Sequence, residues 1–331
     1  GINCSGGHVT QIEMINYVGS EQGNFPSDLT PLPQLQFFGV DDDYRGTITL
    51  NISDMLFPTS LERISIWIDY LVGNINNINA LPNLRMLSLE SSNQLIGNLS
   101  DLAFPTNLEF LNLKSEYITG NIDEVSFPNT LIEIVLDLGN IRGNIASVVW
   151  PPELLYLNIH NAPITGDITS IAWPPGLRSV RLNETQVTGN IANLVWPDTL
   201  NFAELNHTNI SGDVAALSSW PQSLSSVRLA HTNIGGVFDF RQGDLPFNSL
   251  EISCTNIVPA DAEAEAYLNQ LRPQDHPNWR NEPWNLCTTA SLESESAFEP
   301  TYPLNNNPID TRAHGYGMDD SVFATVHMEN G

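Results

Sequence analysis

The sequence predicts a solenoid: a curved, right-handed coil with a parallel β-sheet on its concave face, mostly irregular or 3-10 outer segments, and a short helix capping the C-terminal end. Three observations predict it. A unit of 23 or 24 residues recurs, with starts at Leu61, Leu84, Leu108, Leu131, Leu154, Leu177, Leu200, Leu224 and Phe247, and looser units begin at Val9 and Leu35. Within a unit, apolar residues fall at positions 1, 4, 6 and 11, as in Leu177, Val180, Leu182 and Val187. The alternation at 4 and 6 is that of a strand with one buried face. No unit carries a continuous 3.6-residue apolar face, so the return segments are not full helices. Stacked repeats bury a continuous core that one repeat could not close alone.

Residues 1–34 read as an N-terminal cap with a first degenerate repeat, and residues 35–253 as the array. In the array a Gly-Asn or Gly-Asp pair follows position 11 (Gly120 and Asn121, Gly166 and Asp167, Gly189 and Asn190), which suits a tight bend. Near position 20 an aromatic precedes a proline: Phe104, Phe127, Trp150, Trp173, Trp196 and Trp220 would stack as an apolar spine on the outer wall. Residues 254–287 read as a C-terminal cap. Pro259 to Leu271 is a short helix with acids in its first turns. Trp279 and Trp284 are placed to plug the last layer. Cys254 and Cys287 bracket this cap, and a bridge there would contribute roughly 3 to 4 kcal/mol; two buried thiols are the alternative. Residues 288–331 form an acidic, extended tail with seven acids and Arg312 as its one base. Its stretch 321–328 alternates and could add as a strand to a sheet edge.

The repeats resemble the leucine-rich-repeat family, most closely its plant-type extracellular class. Thr119-Gly120-Asn121-Ile122 and its counterparts resemble the L-T-G-x-I-P signature, and residues 1–10 (GINCSGGHVT) resemble the cap that precedes such arrays. Two features differ: position 9 holds Thr185, Thr208, Thr232 and Thr255 instead of asparagine, and the I-P proline is missing. The resemblance implies an ectodomain similar to those of receptor-like proteins and polygalacturonase inhibitors. In such caps a cysteine at the place of Cys4 pairs with one a few residues earlier. The chain opens on Gly1, too late to hold that partner, as a processed chain or a fragment would; either the partner lies upstream, or Cys4 bonds another chain or stays free.

The 331 residues carry 12 basic against 38 acidic side chains, a formal charge of −26. Such a field repels nucleic-acid phosphates, and with Lys114 the sole lysine no polybasic stretch exists for an anionic membrane. No apolar run reaches the roughly 18 residues that span a bilayer. Six N-x-S/T sequons occur, at Asn3, Asn51, Asn98, Asn183, Asn206 and Asn209. With a cap disulfide and a secreted-type repeat, they point to N-linked glycans and an extracellular location, secreted or on the cell surface.

Catalytic signatures are missing, so no catalytic residue is assigned and the chain reads as a non-enzyme. Asp41 to Gly46 (DDDYRG) opens like a calcium loop, but Arg45 takes a ligand position and Ile52 stands where the closing glutamate belongs. It is an acidic turn with, at most, weak Ca2+ binding. The position-8 column reads Asn161, Glu184, His207, His231; it is an exposed polar strand column, and no metal is assigned to it. Position 3 alternates aromatic and polar residues: Phe110, Glu133, Tyr156, Ser179, Phe202, Ser226. Together with Trp67, these rings stand exposed on the concave side, either as a recognition surface for protein or glycan or packed on one another and on the tail. Arg181 and Arg228 flank Glu204 at position 5 and complete the candidate binding set. The reading is a non-catalytic extracellular scaffold that self-assembles head-to-tail or into a filament through its tail. The alternative is a ligand-binding ectodomain or enzyme inhibitor that uses the concave face.

Overall fold

A computed structural model describes residues 1–15, 26–41, 48–91, 94–217, 220–239 and 249–270. The chain divides into two compact units, Gly1–Leu286 and Cys287–Gly331. The second unit lies outside the described residues, as do Trp279, Trp284, Cys287 and residues 42–46 of the acidic turn.

The first unit is a leucine-rich-repeat solenoid. Among the described residues its main sheet has twelve strands in chain order, and only the first pair, Ile2–Ser5 with His8–Ile15, is antiparallel. That hairpin turns through Gly6 and Gly7, both at positive φ, and covers one edge of the parallel sheet. Every later step pairs position 3 with position 3: Gln11, Phe37, Arg63, Met86, Phe110, Glu133, Tyr156, Ser179, Phe202, Ser226 and Ser249. The longer repeats keep this register because their extra residues fall outside the strands.

The core follows from the same alignment. The position-1 leucines from Leu35 to Leu224 are fully buried, as are Ile64, Ile66, Leu111, Leu113, Ile134 and Leu136 at positions 4 and 6. Each such side chain contributes about 1.5–3 kcal/mol on burial. Position 11 and the apolar residue after Gly-Asn, such as Ile118 and Ile122, fill the opposite side of the core.

The return path is more ordered than the sequence suggested. The Gly-Asn pairs close short parallel strands, which form two further ladders running from Thr49–Asn51 to Asn140–Arg142 and from Ala162–Asp167 to Asn256–Pro259. The ladder strands up to Asn209–Asp213 each feed a 3-10 turn whose N-cap is the Asn or Asp. The Asn98 Oδ1 accepts from Ser100 N at 3.0 Å, and Asn51, Asn74, Asn144, Asp167, Asn190 and Asp213 cap alike. The next turn then rests on this cap. Gly120, at φ +138, lies so close to it that a Cβ there would stand 2.7 Å from Asn98 Oδ1 and 3.0 Å from Leu99 N. Turn therefore stacks on turn, with a glycine of one against a carboxamide or carboxylate of the last.

The threonines at position 9 also have a structural explanation. Thr185, Thr208, Thr232 and Thr255 donate their hydroxyls to the carbonyls of Leu182, Leu205, Leu229 and Ile252, at 2.6 to 2.8 Å. Each closes its own turn.

On the outer wall Phe104, Phe127 and Trp150 stack at 6.1 and 5.9 Å, and Trp173 on Trp196 at 6.2 Å. The indole N–H groups of Trp150, Trp173 and Trp196 are buried without a hydrogen-bond partner among the described residues. At the C-terminal end the helix Ala262–Gln270 buries Ala264 and Leu268. Its first turn is capped by Asp261, whose Oδ1 accepts from Glu263 N and Ala264 N. No described helix is long and apolar enough to cross a membrane.

Replacing Gly120 with alanine adds a Cβ against backbone in a conformation that side chains rarely adopt. The substitution should cost about 2 kcal/mol or more. Gly139→Ala, where the nearest atom is 3.7 Å away, is the comparison and should be close to neutral. Urea unfolding of the two variants checks this through their midpoints.

Candidate functional site on the concave sheet

Positions 3, 5 and 7 of the main strands point away from the core and make three rows across the concave face. The sequence-selected residues all come to this face. Trp67 ends the strand Arg63–Trp67, and Phe110, Tyr156 and Phe202 sit in the position-3 row. These rings are half-buried rather than exposed. The correction has a simple cause: neighbouring strands lie only ~4.8 Å apart, so each ring is covered by the side chains beside it. Trp67 is also held by its indole N–H, which donates to Ser88 Oγ at 2.7 Å.

Charge is paired along the other two rows. In row 7, Lys114 Nζ lies 3.0 Å from Glu90, and His160 Nε2 lies 3.6 Å from Asp137. Burial pushes the Asp137 carboxyl up, but His160, Lys114 and Asn161 outweigh it and hold the pKa below its usual value. The other His160 nitrogen meets Asn158 Oδ1 at 2.9 Å, so both ring nitrogens are engaged. In row 5, Arg181 and Arg228 both reach Glu204, at 3.6 and 3.1 Å, and Arg228 stands 4.0 Å from Glu251. Both guanidinium groups also lie over the Phe202 ring, at 4.7 and 5.7 Å from its centroid. Arg181, taken from the sequence as a surface group, is buried at 8% exposure.

One carboxylate does not join these ladders. Glu133 is 4% exposed, in register between Phe110 and Tyr156, and no hydrogen bond reaches its carboxylate from the described residues. Burial raises its pKa from 4.5 to about 7, against the pull of the Arg181 charge. Sequence reasoning noted Glu133 only as a polar member of the row. The missed signal was its place between two rings.

The position-8 column is not the exposed strand column expected from the sequence. Asn161, Glu184, His207, His231 and Cys254 all have φ between 53° and 57° and turn the chain out of the sheet. The His207 and His231 rings stack at 4.2 Å and 16°. Burial lowers both pKa values, and His207 lowers that of His231 further. Nearly parallel rings aim their lone pairs side by side, not at one point ~2.0–2.1 Å from both. Among the described residues no group of three or more His, Cys, Asp or Glu side chains is arranged to hold a metal ion.

The sequons separate by exposure. Asn3 and Asn209 are exposed, while Asn51, Asn98 and Asn183 are half-buried. Asn206 is 8% exposed and accepts the Ala230 N–H on Oδ1 at 3.2 Å. Cys254 is disulfide-bonded, and Cys4 is free and exposed.

No family model and no curated protein matches the chain. Solved structures do. The chain is similar to the Arabidopsis receptor kinase HAESA in complex with the peptide hormone IDA and the co-receptor SERK1: 19% identity over 78% of this chain and 45% of that one, TM-score 0.53. HAESA with an N-terminally extended IDA peptide gives 18% identity over 81% and 46%, TM-score 0.55. An internalin from Listeria monocytogenes gives 18% over 75% and 82%, TM-score 0.47. The chain spans about half the length of the plant receptors it matches. This likeness establishes the fold.

The Glu133 carboxyl predicts a pH dependence of unusual sign. Between pH 4.5 and about 7 the folded protein holds a proton that the unfolded chain releases. Its contribution to stability is therefore full at low pH and is lost as pH rises through 7. The span is worth about 3 kcal/mol. Glu133→Gln keeps the neutral shape, so it should match the parent near pH 4.5 and exceed it by up to about 3 kcal/mol at pH 8. Denaturant unfolding at the two pH values measures the difference.

Proposed function

We propose that this chain is a non-catalytic, extracellular recognition module whose concave sheet meets a protein or peptide partner. One observation carries the reading: the concave side chains are held in place by one another before any partner arrives. Rings are packed by strand neighbours, and the charges of rows 5 and 7 are paired laterally. A face ordered in advance loses less entropy on binding. The two HAESA structures, which share the fold, each hold a peptide hormone. The extracellular part of the proposal is supported by exposed sequons at Asn3 and Asn209 and by the bonded Cys254, for which Cys287 is the proposed partner across the cap.

Panning the full chain against a displayed random-peptide library tests the location. Selected peptides should lose at least about tenfold in affinity against Ser179→Arg, which fills the concave row. They should bind Thr188→Arg, on the exposed outer ladder, as they bind the parent. The reverse pattern overturns the proposal.

Self-assembly through residues 288–331 is the second reading, supported by the tail's apolar groups at Leu292, Phe298, Tyr302 and residues 321–328. It predicts that the full chain sediments as a concentration-dependent oligomer and that removing residues 288–331 abolishes this. A full-length monomer at every concentration contradicts it.

A further inference from the structure

We propose that the stacked imidazoles of His207 and His231 form an acid-sensitive latch between consecutive turns, which holds the C-terminal repeats closed while both rings are neutral and releases them when both are protonated. Such a latch acts on the order of these turns whatever partner they bind.

Three features of the pair combine. First, the rings touch: their centroids lie 4.2 Å apart and their planes 16° from parallel. Flat neutral rings pack well at that distance. Two imidazolium ions there repel one another in a half-buried place that water screens only in part. Second, each residue carries a bond between turns. The His207 N–H donates to Ala230 O at 3.0 Å, and the His231 N–H donates to Ser253 O at 2.9 Å. The residues that protonation drives apart are therefore the ones that tie each turn to the next. Asn206 Oδ1, beside His207, accepts from Ala230 N at 3.2 Å and belongs to the same junction. Third, both residues have positive φ, 54° and 55°. A residue other than glycine keeps that conformation where its surroundings impose it, and the ring contact is part of those surroundings.

The charged groups of the adjoining turns are Glu184, exposed one turn earlier in the same column, and Arg181, Glu204, Arg228 and Glu251 in row 5. Glu204 is taken up by both arginines. Cys254, next in the column, is disulfide-bonded and does not titrate. Burial lowers the pKa of His207, and burial together with His207 lowers that of His231. Unfolded histidines take up protons near pH 6.5, and the folded pair only at lower pH. The pair's contribution to the stability of these turns is therefore full above about pH 6.5 and falls as the pH drops below it. At about pH 5 ordinary carboxylates are still charged, so the turns open locally while the ion pairs of rows 5 and 7 persist.

The test is amide hydrogen exchange on the full chain at about pH 7.5 and about pH 5, with each rate divided by that of an unstructured peptide at the same pH. Protection of the strands Phe202–Glu204 and Ser226–Arg228 should fall at least about tenfold from the higher pH to the lower. The strand Arg63–Trp67, far along the array, should keep its protection. His207→Phe and His231→Phe each leave a flat ring that takes no proton. Each should lose part of the acid response, and the double variant all of it. His8→Gln, which removes an exposed histidine on the N-terminal hairpin, should respond as the parent does. A double variant with the parent's acid response overturns the latch. So does an equal loss of protection at Arg63–Trp67, which would report general acid unfolding. Ring-carbon NMR titration of the parent needs no variant, the two histidines being identified by the contact between their rings. Both should take up protons below pH 6.5, and two ordinary midpoints near 6.5 overturn the latch as well.

Discussion

The contact on which the rest depends is the seat of one turn's glycine on the previous turn's capping carboxamide or carboxylate. It fixes two distances at once. The Asn98 side chain closes its own 3-10 turn through Ser100 N, and Gly120 of the next turn rests on that closed turn. Any larger residue would push the turns apart. Ser100 adds to the lock, because its Oγ accepts from Asn121 N and donates to Asn121 O. Because this contact recurs in turn after turn, small errors of register cannot accumulate, and position 3 stays opposite position 3 across the sheet.

That constancy gives the concave face its chemistry. Side chains of equal position are brought to about 4.8 Å spacing whether or not they suit one another. In rows 5 and 7 they do suit one another, and opposite charges alternate from Glu90 to His160 and from Arg181 to Glu251. Their effect is to hold long side chains still and to neutralise most of the face. In row 3 the register places a carboxylate between two rings, where neither neighbour can answer it.

Much of the architecture was legible because a repeat states its own alignment. The strand positions, the core column from Leu35 to Leu224, the outer aromatic stack and the C-terminal helix follow from spacing and apolar period alone. Three features were harder to read. The outer ladders escape hydrophobic periodicity because their short strands carry polar residues, such as Thr119 and Thr165, whose hydroxyls bond to the neighbouring turn. The left-handed residues at position 8 were hidden because Asn, Glu, His and Cys all occupy the column, and Glu184 and Cys254 are of types uncommon in that conformation. Burial within the sheet surface was the third. Arg181, Glu133 and Asn206 are polar residues at outward positions, and sequence alone cannot tell that their strand neighbours cover them.

The central claim is that register alone forces the Glu133 carboxyl into a covered place without a partner. The direct measurement is a carboxyl-13C titration of the intact chain by NMR, with the Glu133 signal identified by its loss in Glu133→Gln. The account predicts a midpoint at about 7. A midpoint near the ordinary 4.5 would mean that the carboxylate is hydrated or paired, and would contradict it.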